Sequence, residues 1–119
     1  MYDYEDGREH LFVNFEVQKY NYDNEGNRCK NPRKFPTKKG EKGLSIRVRK
    51  VKGMNKKEFL EVACYSEAYK EAVALKLKPF ENITFCGKYE RKEGDKKDFH
   101  NVTISDPMQI ERWTPTKEI

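Results

Sequence analysis

Residues 57–65 read KEFLEVACY, a run that alternates two kinds of side chain. Every second position is apolar and suited to a core: Leu60, Val62 and Cys64. The positions between them include two aromatic rings, Phe59 and Tyr65. Because successive side chains of a strand point to opposite faces, this period of two predicts a half-buried strand whose outer face carries both rings.

One short helix is predicted directly after this strand. Within residues 67–77, apolar side chains recur at helical spacing, at Tyr69, Ala72, Val73 and Leu77. Ser66 is a residue type favoured at a helix N-cap, and Glu67 suits the positive end of the helix dipole. Pro79 cannot continue a helix, so we expect the helix to end before it.

Two more strands are predicted beyond the helix. Residues 82–91 alternate, with an inward set of Ile83, Phe85 and Tyr89. Gly87 inside this run suggests a bulge or a sharp coil of the strand. Residues 98–105 also alternate, with Val102 and Ile104 in phase, and residues 108–113 favour a short additional strand.

Two strands are predicted before residue 57. Residues 10–20 alternate, with an expected inward set of Leu11, Val13, Phe15 and Val17, which leaves Phe12 on the outer face. Residues 44–51 place Leu44, Ile46 and Val48 inward and Arg47 and Arg49 outward. The segment between them, residues 21–43, is rich in Asn, Gly, Pro and Lys, which predicts a long loop or an irregular hairpin.

The predicted order of elements is three strands, one helix and two strands. This is the order of the OB-fold, a five-stranded β-barrel with its helix between strands three and four. We therefore expect a mainly all-β protein with one OB-fold domain at residues 10–113, which includes a long basic loop at 21–43. Residues 1–9 are expected to form an acidic N-terminal tail, and residues 114–119 a C-terminal tail.

Positive charge is concentrated in one part of the chain. The net charge is +5, but residues 26–52 hold eleven Lys and Arg against Glu41 alone. A concentrated basic stretch suits a polyanionic partner, and the alternative is a solvated, disordered loop. The candidate phosphate-binding residues are Arg28, Lys30, Arg33, Lys34, Lys38, Lys39, Arg47 and Arg49.

Aromatic residues make up 13% of the chain, a high share for so polar a sequence. Exposed rings stack unpaired bases with little regard to base identity, while Lys and Arg follow the phosphates. The candidate stacking residues, all on predicted outer faces, are Phe59, Tyr65, Phe12 and Phe99. The alternative for each ring is packing beneath the loop, beneath the helix or in a dimer interface.

Residues 57–104 resemble the bacterial and phage single-stranded DNA-binding proteins, the SSB family. The resemblance is carried by Glu58-Phe59-Leu60-Glu61-Val62-Ala63-Cys64-Tyr65, by the helix at 67–77 and by Ile83-Thr84-Phe85-Cys86-Gly87-Lys88-Tyr89. It implies that Phe59 and Tyr65 occupy the two base-stacking positions of the family, and that Gly87 is the family's strand glycine. In overall size the chain is most similar to the small SSB-like proteins of lactococcal phages.

The resemblance implies sequence-tolerant binding and protection of single-stranded DNA during phage replication and recombination, in the host cytoplasm. Replication and recombination proteins are then expected partners. Two features depart from the family. Glu93-Gly94-Asp95 occupies the hairpin where the family has a further stacking ring, and the chain ends in residues 114–119, TPTKEI, where bacterial members have an acidic recruiting tail.

Catalysis is not expected from this sequence. It has two histidines, three widely spaced cysteines, no Gly-rich phosphate loop and no Ser-His-Asp constellation. We therefore expect a protein that is not an enzyme and that holds no metal and no cofactor. No run approaches the roughly 18 apolar residues of a membrane span, so we expect no membrane partner and a cytoplasmic location.

Two other binding functions stay open at this point. An OB-fold RNA-binding protein would use the same rings and bases, because nothing in the sequence reads a 2′-hydroxyl. An OB-fold protein-interaction module would use the rings as an interface and would respond little to salt. We also expect a homo-oligomer, most simply a dimer, because of an open barrel edge and surplus tyrosines such as Tyr20 and Tyr22.

Overall fold

The computed structural model describes residues 7–23, 25–51, 59–92 and 99–113. These ranges hold nine strands and one α-helix. In chain order they are β1 (Glu9–Val17), β2 (Tyr20–Tyr22), β3 (Arg28–Lys30), β4 (Arg33–Pro36), β5 (Lys42–Lys50), β6 (Phe59–Cys64), α1 (Ser66–Leu75), β7 (Asn82–Lys92), β8 (Phe99–Ile104) and β9 (Ile110–Arg112), with a 3₁₀ turn at Pro107–Gln109. The predicted composition, mainly β with one helix, is confirmed.

Five long strands form a closed ring. β1 pairs with β5, β5 with β6, β6 with β8 and β8 with β7, and β7 returns to β1. All of these pairings are antiparallel except that of β6 with β8, which is parallel. In the chain, α1 lies between β6 and β7. Each of these five described strands has a partner on both sides, so the expected open edge is not present in the ring.

The interior of the ring is filled by apolar side chains from every strand. On β5 and β6 the buried set is Leu44, Ile46, Val48, Leu60, Val62 and Cys64. On β7 and β8 it is Ile83, Phe85, Tyr89, Val102 and Ile104. The inward faces predicted for these four strands are confirmed, because alternation held over each strand. Ala68 and Ala72 of α1 are buried against the same core.

Gly87 brings β7 close to β8 rather than forming a bulge. The register of the two strands runs without a shift from Lys88 opposite Thr103 to Lys92 opposite Phe99. A Cβ atom at Gly87 would lie 2.4 Å from the backbone oxygen of Thr103. The strand glycine is therefore required by the close approach of two backbones.

A β-bulge in β1 reverses part of the predicted inward face. The register with β7 shifts between Phe12 and Phe15, and Asn14 has a φ of 61°. Asparagine tolerates this left-handed conformation better than most residues. As a result Phe12 and Phe15 both point inward, at 2% and 4% exposure, while Leu11 and Val13 are 63% and 50% exposed. The prediction that Leu11 and Val13 face the core and Phe12 faces solvent is wrong, because the extra residue changes the phase of the strand.

Short strands organise the segment predicted as a long loop at 21–43. β2 pairs with β3 in a two-stranded hairpin, and β4 pairs with the first half of β5. The alternative of an irregular hairpin is closer to what is found. Each strand is only three or four residues long, so the many Asn, Gly and Pro residues between them obscure the alternation.

The helix begins differently from the prediction. Its N-cap is Tyr65, in an extended conformation and without a capping side chain, while Ser66 has a φ of 53°. It ends at Leu75, where Lys76 adopts a left-handed conformation and its N–H donates to the Val73 carbonyl at 3.1 Å. None of the helical residues that the structure describes forms a segment long and apolar enough to cross a membrane. The hairpin expected at Glu93-Gly94-Asp95 lies outside the described residues.

Candidate nucleic-acid interface

Three aromatic rings lie on the outer faces of β6 and β8 or directly beyond β6. Phe59 begins β6 and Tyr65 follows its last residue, both are half-buried, and Phe99 on β8 is 51% exposed. Glu61 pairs with Asn101 across these parallel strands, so Phe59 and Phe99, each two residues earlier, occupy matching positions on one face. The predicted outward orientation of these three rings agrees with their exposure.

Arg47 of β5 connects Phe59 to the β2–β3 hairpin. Its guanidinium carbon lies 4.3 Å from the centre of the Phe59 ring and 5.2 Å from the centre of the Tyr22 ring. Tyr22 is 40% exposed. A cation held over aromatic faces at these distances is stabilised by the ring quadrupoles. The outer face of β5 and the hairpin therefore form one continuous surface.

Tyr65 has a second ring beside it. Phe35 of β4 packs edge-on against Tyr65 with ring centres 5.7 Å apart, and Arg33 lies 5.7 Å from the Phe35 ring centre. Phe35 lies over Gly43 of β5, where a Cβ atom would come within 2.5 Å of the ring. Gly43 thus makes room for the ring that supports Tyr65.

The hairpin carries a similar pairing of ring and cation. Arg28 on β3 lies 4.6 Å from the ring centre of Tyr20, and Lys19 lies 5.4 Å from it. Lys30 pairs with Tyr20 across the hairpin and is exposed on the same side. We name the whole surface the ring-and-cation face. It consists of Tyr20, Tyr22, Arg28, Lys30, Arg33, Phe35, Arg47, Phe59, Tyr65 and Phe99.

A buried polar network fixes the hairpin to β5. The Asn21 side-chain amide donates to the Ser45 backbone carbonyl at 3.0 Å and to the Ser45 hydroxyl at 3.1 Å. The Asn31 amide donates to the backbone carbonyls of Gln18 at 2.7 Å and Arg47 at 3.0 Å, and its oxygen accepts from the Arg47 N–H at 2.9 Å. Asn21, Asn31 and Ser45 are each 2% exposed or less. Because buried amides are costly when unpaired, this network defines one position for the hairpin.

Other predicted phosphate ligands lie at the margin of this face or away from it. Lys38 and Lys39 are exposed in the turn between β4 and β5. Lys34 is exposed on the side of β4 opposite Arg33 and Phe35, because side chains alternate along a strand. Arg49 pairs with Phe59 across the sheet, but its guanidinium forms an ion pair with Glu16 at 3.3 Å. Arg49 is thus less available to a phosphate than the pattern predicts.

Two carboxylates, Glu61 and Glu90, lie near Tyr65, and Glu61 faces Arg47 across β5 and β6. Burial, followed by the negative charges of Glu61 and Glu90, raises the pKa of the Tyr65 hydroxyl. Glu61 faces Asn101 on β8, and Asn101 in turn faces Glu90 on β7. Negative charge on β6 and β7 disfavours phosphates there, so the arrangement favours a polyanion backbone along β4, β5 and the hairpin.

Phe12 is not part of this surface. Its ring stacks on Phe85 with centres 5.1 Å apart and packs edge-on against Phe15 at 6.0 Å. A ring buried in the core has no face for a base, so the assignment of Phe12 as a stacking residue is wrong. The bulge at Asn14, which the sequence pattern does not reveal, is the physical reason.

Sequence reasoning did not assign Tyr22, Tyr20 and Phe35 to the binding surface. The sequence pattern instead favours Tyr20 and Tyr22 as part of an oligomer contact. The available signal is a short alternation, Tyr-Asn-Tyr at 20–22 and Arg-Lys-Phe at 33–35. Only the pairing of these short strands with β3 and β5 brings their rings next to Arg47 and Tyr65.

The described residues offer no grouping of three or more His, Cys, Asp or Glu able to hold a metal ion. Cys29, Cys64 and Cys86 are free thiols, and burial raises the pKa of Cys64 to about 12. The chemistry available on the ring-and-cation face is therefore stacking, cation–π contact and ion pairing.

Comparisons with known proteins bear on the fold. No family model matches the sequence, and no curated protein matches it either. Among solved structures, the chain is similar to a protein described as "Plasmodium falciparum SSB complex with ssDNA", with a TM-score of 0.57 and 9% identity. The similarity covers 87% of this chain and 90% of that one. The fold of this chain is SSB-like. At 9% identity the similarity is one of fold alone, and it extends over nearly the whole length of both chains.

Proposed function

We propose that this protein binds single-stranded DNA with little sequence preference on the ring-and-cation face. One observation carries the proposal: rings and cations alternate over a single surface, with Arg28, Arg33 and Arg47 each lying over a ring. Unpaired bases stack on such rings at about 1–3 kcal/mol per base, and arginines take the phosphates. The SSB-like fold supports the proposal, because that solved relative is described in complex with single-stranded DNA.

The positions of the charges around Tyr65 suggest how the strand would lie. Phosphates would follow Arg33, Arg47 and the hairpin cations, away from Glu90, and Glu61, which faces Arg47 across β5 and β6, would compete for its charge. Bases would then cover Phe59, Tyr65 and Phe99. Lys38 and Lys39 would extend the phosphate track at the β4–β5 turn.

The biological setting is part of the proposal. The protein would belong to the SSB family, would be a small SSB-like protein of the phage type, and would protect single strands during replication and recombination in the host cytoplasm. It would do so without catalysing a reaction, as a homo-oligomer and together with replication and recombination proteins.

Affinity for a labelled oligo-dT, titrated with salt, tests the binding proposal. Phe59→Ala and Tyr65→Ala should each weaken binding roughly 5- to 150-fold (~1–3 kcal/mol) while leaving the salt slope nearly unchanged. Arg33→Gln should instead lower the slope of log affinity against log salt by about 0.7, the single-strand value for one phosphate. The control is Phe80→Ala, which removes an exposed ring outside this face.

Three results would contradict the proposal. Parent protein that ignores oligo-dT at low salt would exclude the function altogether. Phe59→Ala and Tyr65→Ala proteins that fold and bind like the parent would move the site elsewhere. Oligo-U that competes much better than oligo-dT of equal length would identify an RNA-binding protein instead.

A further inference from the structure

We propose that Tyr22 and Phe59 form a slot for one nucleobase, and that Arg47 holds this slot open until the base displaces its guanidinium. The inference rests on the proposed function and names a site within it. Tyr22 comes from the β2–β3 hairpin and Phe59 from β6, so the slot joins two elements that are distant in sequence.

The position of Arg47 is the first observation. Its guanidinium is 4.3 Å from the Phe59 ring centre and 5.2 Å from the Tyr22 ring centre, so one flat group contacts both rings. A guanidinium is planar and stacks on aromatic faces much as a base does. A pyrimidine or purine fits the same contacts with a larger π-surface and without desolvating a charge.

The rigidity of the surrounding backbone is the second observation. The Tyr22 N–H donates to the Asn21 side-chain oxygen at 2.7 Å, and the Arg47 N–H donates to the Asn31 side-chain oxygen at 2.9 Å. Asn21 and Asn31 are themselves joined at 3.3 Å. The backbones that carry Tyr22 and Arg47 are thus fixed by one buried network, while the Arg47 side chain itself is only half-buried.

The exchange leaves Arg47 available to the phosphate next to the bound base. In the free protein its charge is stabilised by the two rings, and in the complex by an ion pair. Arg47 is therefore a positioning residue for the slot before binding and a phosphate ligand after it.

A double-mutant cycle on oligo-dT tests the slot. Tyr22→Ala and Phe59→Ala should each weaken binding about 5- to 150-fold, and the double variant should lose little more than the more damaging single change, because one base uses both rings. Tyr22→Leu, which keeps an apolar side chain without a π-face, should behave like Tyr22→Ala. Tyr20→Ala is the matched control on the same hairpin and should combine with Phe59→Ala multiplicatively.

The NMR signal of the Arg47 side chain separates this role from a purely structural one. Its side-chain N–H resonance should be shifted by ring currents in the free protein and should lose that shift when oligo-dT is added. Arg47→Met should lower the salt slope by about 0.7. Losses that multiply for Tyr22 and Phe59, or an Arg47 resonance that DNA leaves unchanged, would overturn the slot. A parent protein that does not bind oligo-dT would instead overturn the proposed function itself.

Discussion

Arg47 contacts its surroundings separately through its backbone and through its side chain. Its backbone N–H and carbonyl both bond to the buried Asn31 side chain, and its guanidinium lies over two rings. Replacing the side chain leaves the backbone bonds in place. Variants at this position therefore report on the surface chemistry, while variants of Asn31 report on the scaffold beneath it.

Phe12 and Leu11 provide a direct test of the bulge in β1. Phe12→Ala should destabilise the protein by about 3–5 kcal/mol, because it removes a ring from the core stack with Phe85. Leu11→Ala, the neighbouring change on a 63% exposed side chain, should alter stability by no more than about 0.5 kcal/mol. Chemical denaturation measures both. A larger loss of stability in Leu11→Ala than in Phe12→Ala would contradict the bulge and support the unbroken alternation of β1.

Cys64 should make stability fall in alkaline solution. Burial raises the pKa of the folded thiol from its ordinary 9.0 to about 12, so the folded protein keeps it neutral while the unfolded chain ionises. The stabilisation is fully present below pH 9 and is lost as pH rises towards 12. Melting temperatures from pH 7 to 10.5 should drop less steeply for Cys64→Ala than for the parent. Cys29→Ala is the control, and identical slopes for Cys64→Ala and the parent would contradict the prediction.

The β2–β3 hairpin supplies four of the ten residues of the ring-and-cation face. Its exposed side carries two tyrosines and two cations, and its buried side carries Asn21. Three residue pairs between β2 and β3 would be too few to hold it alone, since isolated short hairpins are at best marginally stable. The hairpin is therefore ordered by the amide network with β5.

Asn31→Ala should loosen this hairpin and weaken binding through it. The change leaves the Arg47 N–H and the Gln18 carbonyl without the partner that Asn31 supplies, at a cost of about 1–3 kcal/mol, while the Arg47 carbonyl keeps its bond from the Gln18 N–H. Amide hydrogen exchange should accelerate at residues 20–22 and 28–30 more than in β6. Asn27→Ala, on an exposed asparagine of the same hairpin, should have no such effect. Exchange that is unchanged in Asn31→Ala protein would show that the hairpin is held by other contacts.

At the scale of the whole molecule, the ring of five strands displays its charges unevenly. β5, β4 and the β2–β3 hairpin carry the cations of the basic stretch, while Glu61 lies on β6, next to β5, and Glu90 lies on β7. β6 pairs with both β5 and β8, so the outer faces of these three strands are adjacent. Closure of the ring removes the open barrel edge, which is one of the two reasons for expecting a homo-oligomer.

Exposed apolar side chains outside the ring-and-cation face are the basis for predicting the oligomeric state. Leu11, Val13 and Met108 are 63%, 50% and 88% exposed, so they offer apolar surface to a second copy of the chain. We expect a homodimer in solution, with a mass near twice the 14.2 kDa of the chain. Light scattering at micromolar concentration measures this directly, with Leu11→Glu as the variant expected to favour the monomer. A parent protein that is monomeric throughout would contradict the prediction.

The amino-acid sequence alone determined the strands with unbroken alternation. Burial on one side of a strand enforces a period of two. The alternate positions from Leu44 to Val48 and from Leu60 to Cys64 could therefore be assigned to the core, and Phe59 and Tyr65 to the opposite face. The sequence also located the basic stretch, since charge needs no folding to be counted. Tertiary structure decided the rest. The bulge at Asn14, the pairing of three-residue strands and the buried Asn21–Asn31–Ser45 network all depend on partners far away in the chain, which no local pattern encodes. These long-range contacts bury Phe12 and bring Tyr22 to Arg47.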